Sequence, residues 1–131
     1  MKKVERLFLV DDDHIFLMIM KRMIIQADAV ESVDSFENGS DILEYLKANL
    51  SQPDALPEII LLDLNMPIMD GWQFLDAYRE IQDQIARNIR IYILSSSNFE
   101  EDIRRTVEYP MVKEYLVKPL NPEKLTEILR P

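Results

Sequence analysis

The stretch that most narrows what this chain can fold into is Glu58-Ile59-Ile60-Leu61-Leu62-Asp63, an apolar run closed by a carboxylate. It is followed at once by Leu64-Asn65-Met66-Pro67-Ile68-Met69-Asp70-Gly71. A continuous apolar run has no solvent face, so it reads as a strand buried on both sides, as strands of parallel sheets are. The loop with its Pro and Gly then leaves Asp63 at the carboxyl edge of the sheet, where an anion or a metal can reach it from water. A carboxylate in that place can bind a cation or attack phosphorus.

Strand and helix alternate along the rest of the chain. Residues 6–11 read as a buried strand ending in acid, and residues 15–27 as a helix with Phe16, Met20, Met23 and Ala27 on one stripe. Residues 31–36 form a weaker strand. Asn38-Gly39-Ser40 opens a helix carrying Ile42, Leu43, Tyr45, Leu46 and Leu50. After the strand at 59–63, residues 71–86 predict a helix with Trp72, Leu75, Tyr78 and Ile81 inward. Residues 89–94 are β-branched and apolar, a strand running into Ser95-Ser96-Ser97. Asn98 is placed to cap a short helix with Glu100 and Glu101 in its first turn. Residues 115–117 are a last strand, and Asn121-Pro122 starts a final helix through Leu125, Ile128 and Leu129. Five strand–helix units imply a parallel sheet covered on both faces, because parallel strands need crossover helices.

Composition removes several function classes. The net charge of −9 argues against a nucleic-acid binder working through a basic face. With no Cys, disulfides, thiolate metal sites and Cys nucleophiles are excluded. The longest apolar run, residues 15–20, is too short to cross a bilayer, and no signal-peptide pattern follows the start. A soluble cytoplasmic protein with neither membrane nor nucleic-acid contact is the expectation, and 131 residues fit one domain.

In a doubly wound sheet the ligand site lies beyond the carboxyl ends of the strands. Asp11 and Asp12 follow the first strand, Asp63 ends the third, Ser95 follows the fourth and Lys118 the fifth. Facing carboxylates repel, and a divalent cation resolves this; oxygen-only donors at a solvated mouth favour Mg²⁺ over Zn²⁺. Lys118 offers a point charge to a phosphoryl oxygen, and Ser95 a hydroxyl donor. Phosphoryl transfer asks mainly for positioning and charge neutralisation, which such a set provides. Asp13 reads as a helix cap rather than a ligand, with His14 solvated, and Asp70 as a cap before Gly71.

Val10-Asp11-Asp12, the Asp63-x-Asn-Met-Pro-x-Met-Asp70-Gly71 loop, Ser95 after its strand and Tyr115-x-x-Lys118-Pro119 together resemble the response-regulator receiver domain of two-component signalling. The resemblance covers the chain from about residue 5 to 130. It implies a flavodoxin-like α/β fold, (βα)5, doubly wound, with strand order 2-1-3-4-5. It implies Asp63 as phosphoacceptor and an acidic pair in which Asp12 ligates Mg²⁺ directly and Asp11 through water. It further implies a backbone carbonyl of Asn65 as metal ligand, Ser95 and Tyr115 as switch residues, and Lys118 as phosphoryl contact before a cis Pro119. The partners implied are a histidine kinase or a histidine phosphotransfer protein, and a downstream protein on the face of the fourth helix, fifth strand and fifth helix. Ser96 departs from the small apolar residue common after the switch hydroxyl, and Tyr109-Pro110 stands where a glycine is often found.

No effector region follows the last helix, so residues 1–131 are read as one stand-alone receiver that signals through its own surface and is no enzyme beyond its own phosphorylation and dephosphorylation. Two alternatives belong to other classes. One is a Mg²⁺-dependent phosphatase of the haloacid-dehalogenase type with Asp11 as nucleophile, which would leave the Asp63 loop unexplained. The other is a receiver-shaped adaptor indifferent to phosphorylation. The first helix is apolar around most of its circumference, so some of Leu17, Met18 and Ile19 are expected to be exposed as a docking face for the phosphodonor.

Overall fold

A computed structural model describes residues 2–130. The elements are β1 (Val4–Val10), α1 (His14–Ala27), β2 (Val30–Phe36), α2 (Gly39–Ala48), β3 (Ile59–Leu62) and α3 (Gly71–Ile81), followed by β4 (Arg90–Ser95), α4 (Glu100–Arg105), β5 (Val112–Val117) and α5 (Pro122–Leu129). All strand pairs are parallel, in the order β2-β1-β3-β4-β5, as the alternation required.

The apolar runs of the central strands serve two cores at once, because successive side chains point to opposite faces. Phe8, Val10, Ile60, Leu62, Ile91 and Ile93 pack with Ile42, Leu46, Phe74, Leu75 and Tyr78 of α2 and α3. Leu7, Leu9, Ile59, Leu61, Tyr92 and Leu94 pack on the other face with Met20 and Ile24 of α1 and with Leu125 and Ile128 of α5. Burying one such aliphatic side chain stabilises the fold by about 1.5–3 kcal/mol, so these strands are fixed in register by both faces.

Local chemistry sets the helix ends. The Asp13 carboxylate accepts the N–H groups of Ile15 and Phe16, and Asn38 accepts that of Asp41. Asp70 and Gln73 form a reciprocal capping box at the start of α3, and Asn121 with Pro122 starts α5. Gly71 begins α3 where a Cβ would fall 2.5 Å from the Asp63 carbonyl oxygen, so only glycine lets the helix approach the strand end.

Several sequence expectations need correction. α3 stops at Ile81 and tightens into a 3₁₀ turn over Gln82–Gln84 instead of reaching residue 86, because Asp83 and Gln84 have no apolar contact to make. The last strand starts at Val112, three residues before Tyr115, since pairing with β4 continues outside the apolar segment. Asn98 caps nothing: the N-cap of α4 is Phe99, without a side-chain bond. On α1 the buried residues are Leu17, Met20 and Ile24, with Phe16, Met23 and Ala27 only half-buried. Leu17 therefore faces inward, whereas Met18 and Ile19 are exposed together with Ile15 (69%) and Ile25 (73%). No helix among the described residues is long and apolar enough to cross a membrane.

Candidate functional site

Asp11 stands two residues past Leu9, and Asp63 two past Leu61, so both continue the strand face that carries the α1–α5 core. Their carboxylates rest on a narrow apolar floor of Leu9, Phe16, Leu17, Leu61 and Leu94, and both residues are buried. Asp12, one residue on, is exposed. One oxygen from each of Asp11, Asp12 and Asp63 lies within 4.8 Å of the others. The strand ends thus bring together the three acids that the sequence placed at one rim.

Burial is the largest influence on Asp63 and pushes its pKa up from 3.8 to about 6; the Asp11 carboxylate pushes the same way, while Lys118 and the Leu64 N–H oppose them. Lys118 reaches over from the end of β5. Its ammonium donates to Asp11 Oδ2 at 2.7 Å and lies 3.7 Å from Asp63 Oδ1. The Phe16 ring of α1 covers the same ammonium, its centroid 4.0 Å from Nζ. Lys118 is thus a held charge rather than a swinging one, and Phe16, which the sequence presented only as a core residue, is part of what holds it. The peptide bond from Lys118 to Pro119 is cis.

The β4–β5 side of the rim is made of neutral polar groups. Leu62 is in register with Ile93, so Ser95 stands just beyond the level of Asp63 on the neighbouring strand, fully buried. Its hydroxyl accepts the Ser97 N–H at 3.1 Å. Tyr115 is half-buried and donates its hydroxyl to the Ser97 carbonyl at 2.7 Å. Asn65 lies exposed in the β3–α3 loop, and Ser96 is exposed after β4. The sequence reading gave the switch role to Ser95 alone and missed the bridge made by Ser97, whose hydroxyl donates to Asp102 of α4 at 2.6 Å. In a run of three serines nothing marks which one bridges.

The chemistry available is that of a cation and phosphate site. Hard carboxylate donors whose oxygens gather within 4.8 Å of one another suit Mg²⁺, which takes few protein ligands and keeps several waters. Burial raises the pKa of Asp63 most, and Asp11 and Asp12 add to it; a dication would relieve the share that the facing acids contribute.

Comparison with known proteins points the same way. The family described as "Response regulator receiver domain" matches residues 7–130. The nitrate/nitrite response regulator protein NarL of Escherichia coli K12 is 34% identical over 123 residues, covering 94% of this chain and 52% of that protein, so the chain spans about half of its length. The chemotaxis protein CheY of Bacillus subtilis is 27% identical over 121 residues, 92% of each chain. A solved two component response regulator from Cytophaga hutchinsonii superposes with a TM-score of 0.87 at 27% identity, covering 97% of this chain and 95% of its own.

Proposed function

Because this chain belongs to the response regulator receiver family of two-component signalling, we propose that Asp63 is its phosphoacceptor. The donor is a phosphohistidine on a histidine kinase or a phosphotransfer protein. An Asp63 carboxylate oxygen attacks phosphorus, the P–N bond breaks as the P–O bond forms, and the imidazole leaves with the electron pair. The observation that carries this reading is the convergence of Asp11, Asp12 and Asp63 with the Lys118 ammonium at one strand edge. Asp11 is the poorer nucleophile, since Asp13 N–H occupies its Oδ1 and Lys118 its Oδ2. That weighs against a phosphatase acting through Asp11.

Asp11, Asp12, Asp63 and the backbone carbonyl of Asn65 would hold Mg²⁺, with Asp11 acting through water. The ion supplies neutralisation of the acids and of the incoming phosphoryl oxygens. Lys118 meets the charge arriving on Asp63, Ser95 donates to a phosphoryl oxygen, and Tyr115 turns inward into the space that Ser95 leaves. The resulting population shift alters the α4–β5–α5 face, where the downstream protein binds. Phe99, Ile103 and Val107, all exposed, form an apolar stripe there. The chain acts as a cytoplasmic receiver and transforms no substrate but its own aspartate.

The exposed stripe of Ile15, Met18, Ile19 and Ile25 on α1 is the phosphodonor's docking face. Ile19→Lys should keep phosphorylation by acetyl phosphate while losing transfer from a phosphorylated kinase domain; equal loss from both donors would remove docking from the account. The deciding experiment on Asp63 is intact mass after acetyl phosphate and Mg²⁺, with and without EDTA. The expected gain is one phosphoryl group, lost with EDTA and in Asp63→Asn. Full incorporation in Asp63→Asn would end the proposal.

A further inference from the structure

Resting on the receiver reading above, we propose that Ser97 is the positioning residue through which the state of Ser95 reaches α4. Its N–H donates to Ser95 Oγ at 3.1 Å, and its carbonyl accepts from the Tyr115 hydroxyl at 2.7 Å. Its own hydroxyl donates to Asp102 Oδ2 at 2.6 Å and accepts the Phe99 N–H at 3.4 Å. Both switch residues and the first turn of α4 are therefore joined through one side chain and its peptide groups.

The surroundings make these bonds decisive. Ser96, Asn98 and Phe99 are exposed, so packing does little to fix the loop. Phe99 offers no side-chain acceptor at the N-cap, and the helix has only six residues, too short to hold its own register. The Ser97–Asp102 bond ties that first turn to the loop. Ser95 has one hydroxyl hydrogen to give. When its side chain changes rotamer to donate to a phosphoryl oxygen on Asp63, Oγ swings by about 120°, and the Ser97 N–H must follow it or lose its partner. Following it carries the Ser97 carbonyl away from Tyr115 and its hydroxyl away from Asp102.

The far end of α4 is pinned to α3. The Tyr109 hydroxyl donates to Asp76 at 2.8 Å, and the Arg105 guanidinium lies 4.6 Å from the centroid of Trp72. Movement of the first turn thus becomes a tilt about that end, which reorients Phe99 and Ile103. Trp72 is the single tryptophan, so its emission reports on Arg105.

The test is amide hydrogen exchange across residues 99–105 and Trp72 emission, each with and without saturating Mg²⁺ and beryllium fluoride, in wild type, Ser97→Ala, Ser97→Thr and Asp102→Ala. In wild type the fluoride complex should change exchange of the first turn by roughly fivefold or more, the scale of one net hydrogen bond. Ser97→Ala and Asp102→Ala should exchange fast in both states, with the difference below about twofold, while Ser97→Thr restores it. Should Ser97→Ala fail to fold, the Ser97→Thr and Asp102→Ala variants decide. A wild-type-sized difference in Ser97→Ala or Asp102→Ala, or no rescue by Thr, overturns the relay. So does an unresponsive α4 in a wild-type protein that still gains phosphoryl mass. Absence of that mass gain would remove the receiver reading and the relay with it.

Discussion

The two halves of the rim are built on opposite principles. On the β1–β3 side, carboxylates face one another over an apolar floor, and Ile68 adopts a left-handed backbone. On the β4–β5 side, Ser95, Ser97, Asp102 and Tyr115 satisfy one another by hydrogen bonds. One half stores unfavourable geometry, and the other is relaxed. The proposed roles account for the difference: a pocket for a cation and a phosphoryl group gathers like charges, whereas a switch rests in a defined state. Simplifying substitutions should therefore stabilise the first half and destabilise the second.

Lys118 links the two halves, and its removal should have the largest effect. Lys118→Ala leaves Asp11 and Asp63 buried without their cation, at a cost of about 2–3 kcal/mol in EDTA by urea unfolding. Mg²⁺ should recover part of that loss by binding the folded state only. An unchanged midpoint would mean that the acids were not in conflict.

Asp63→Asn tests the strained half directly. Below about pH 4 the Asp63 carboxyl is protonated both folded and unfolded, and the substitution changes little. As pH rises through about 6 the folded protein must ionise a group that burial and Asp11 disfavour, so wild type loses stability that the Asn variant keeps. In EDTA the variant should be more stable above pH 6, on the order of 1–2 kcal/mol after solvent screening, and equal near pH 4. A stability gain independent of pH would assign it to packing instead.

Tyr115→Phe should act in the other direction. It removes the hydroxyl donated to the Ser97 carbonyl and costs about 1 kcal/mol with no dependence on Mg²⁺. A variant as stable as wild type would show that this half is not held by its hydrogen bonds.

The strained half was the more legible one in the sequence. Apolar runs ending on acid fix both the sheet and the strand edge, so Asp11, Asp12 and Asp63 could be brought together before any coordinates, and Asp13, Asp70 and Asn121 announce their own helix starts. The relaxed half was harder to read, because its links use backbone groups. Ser97 bonds through its N–H and carbonyl, and no residue type encodes that. The start of β5 was missed because the strand runs through exposed, charged residues, with Lys113 at a break in register and Glu114 opposite Tyr92, and the end of α3 because a weak apolar stripe continues past the last helical bond. Phe16 looked like core; only the fold brings it over Lys118, more than a hundred residues away.

The smallest effect expected concerns Ile68, and it tests strain free of charge. Its φ is 71°, a region that β-branched residues avoid, and its side chain is 82% exposed, so packing returns little of that cost. Asn tolerates the conformation better, and Ile68→Asn should raise stability by about 0.5–1 kcal/mol, equally at pH 4 and pH 7. That pH independence separates backbone strain from the electrostatic strain at Asp63 in the same loop. If Ile68→Asn instead lowers stability while acetyl phosphate still labels Asp63, the isoleucine is held by contacts that outweigh its backbone cost. The β1–β3 half would then owe its discomfort to the carboxylates alone.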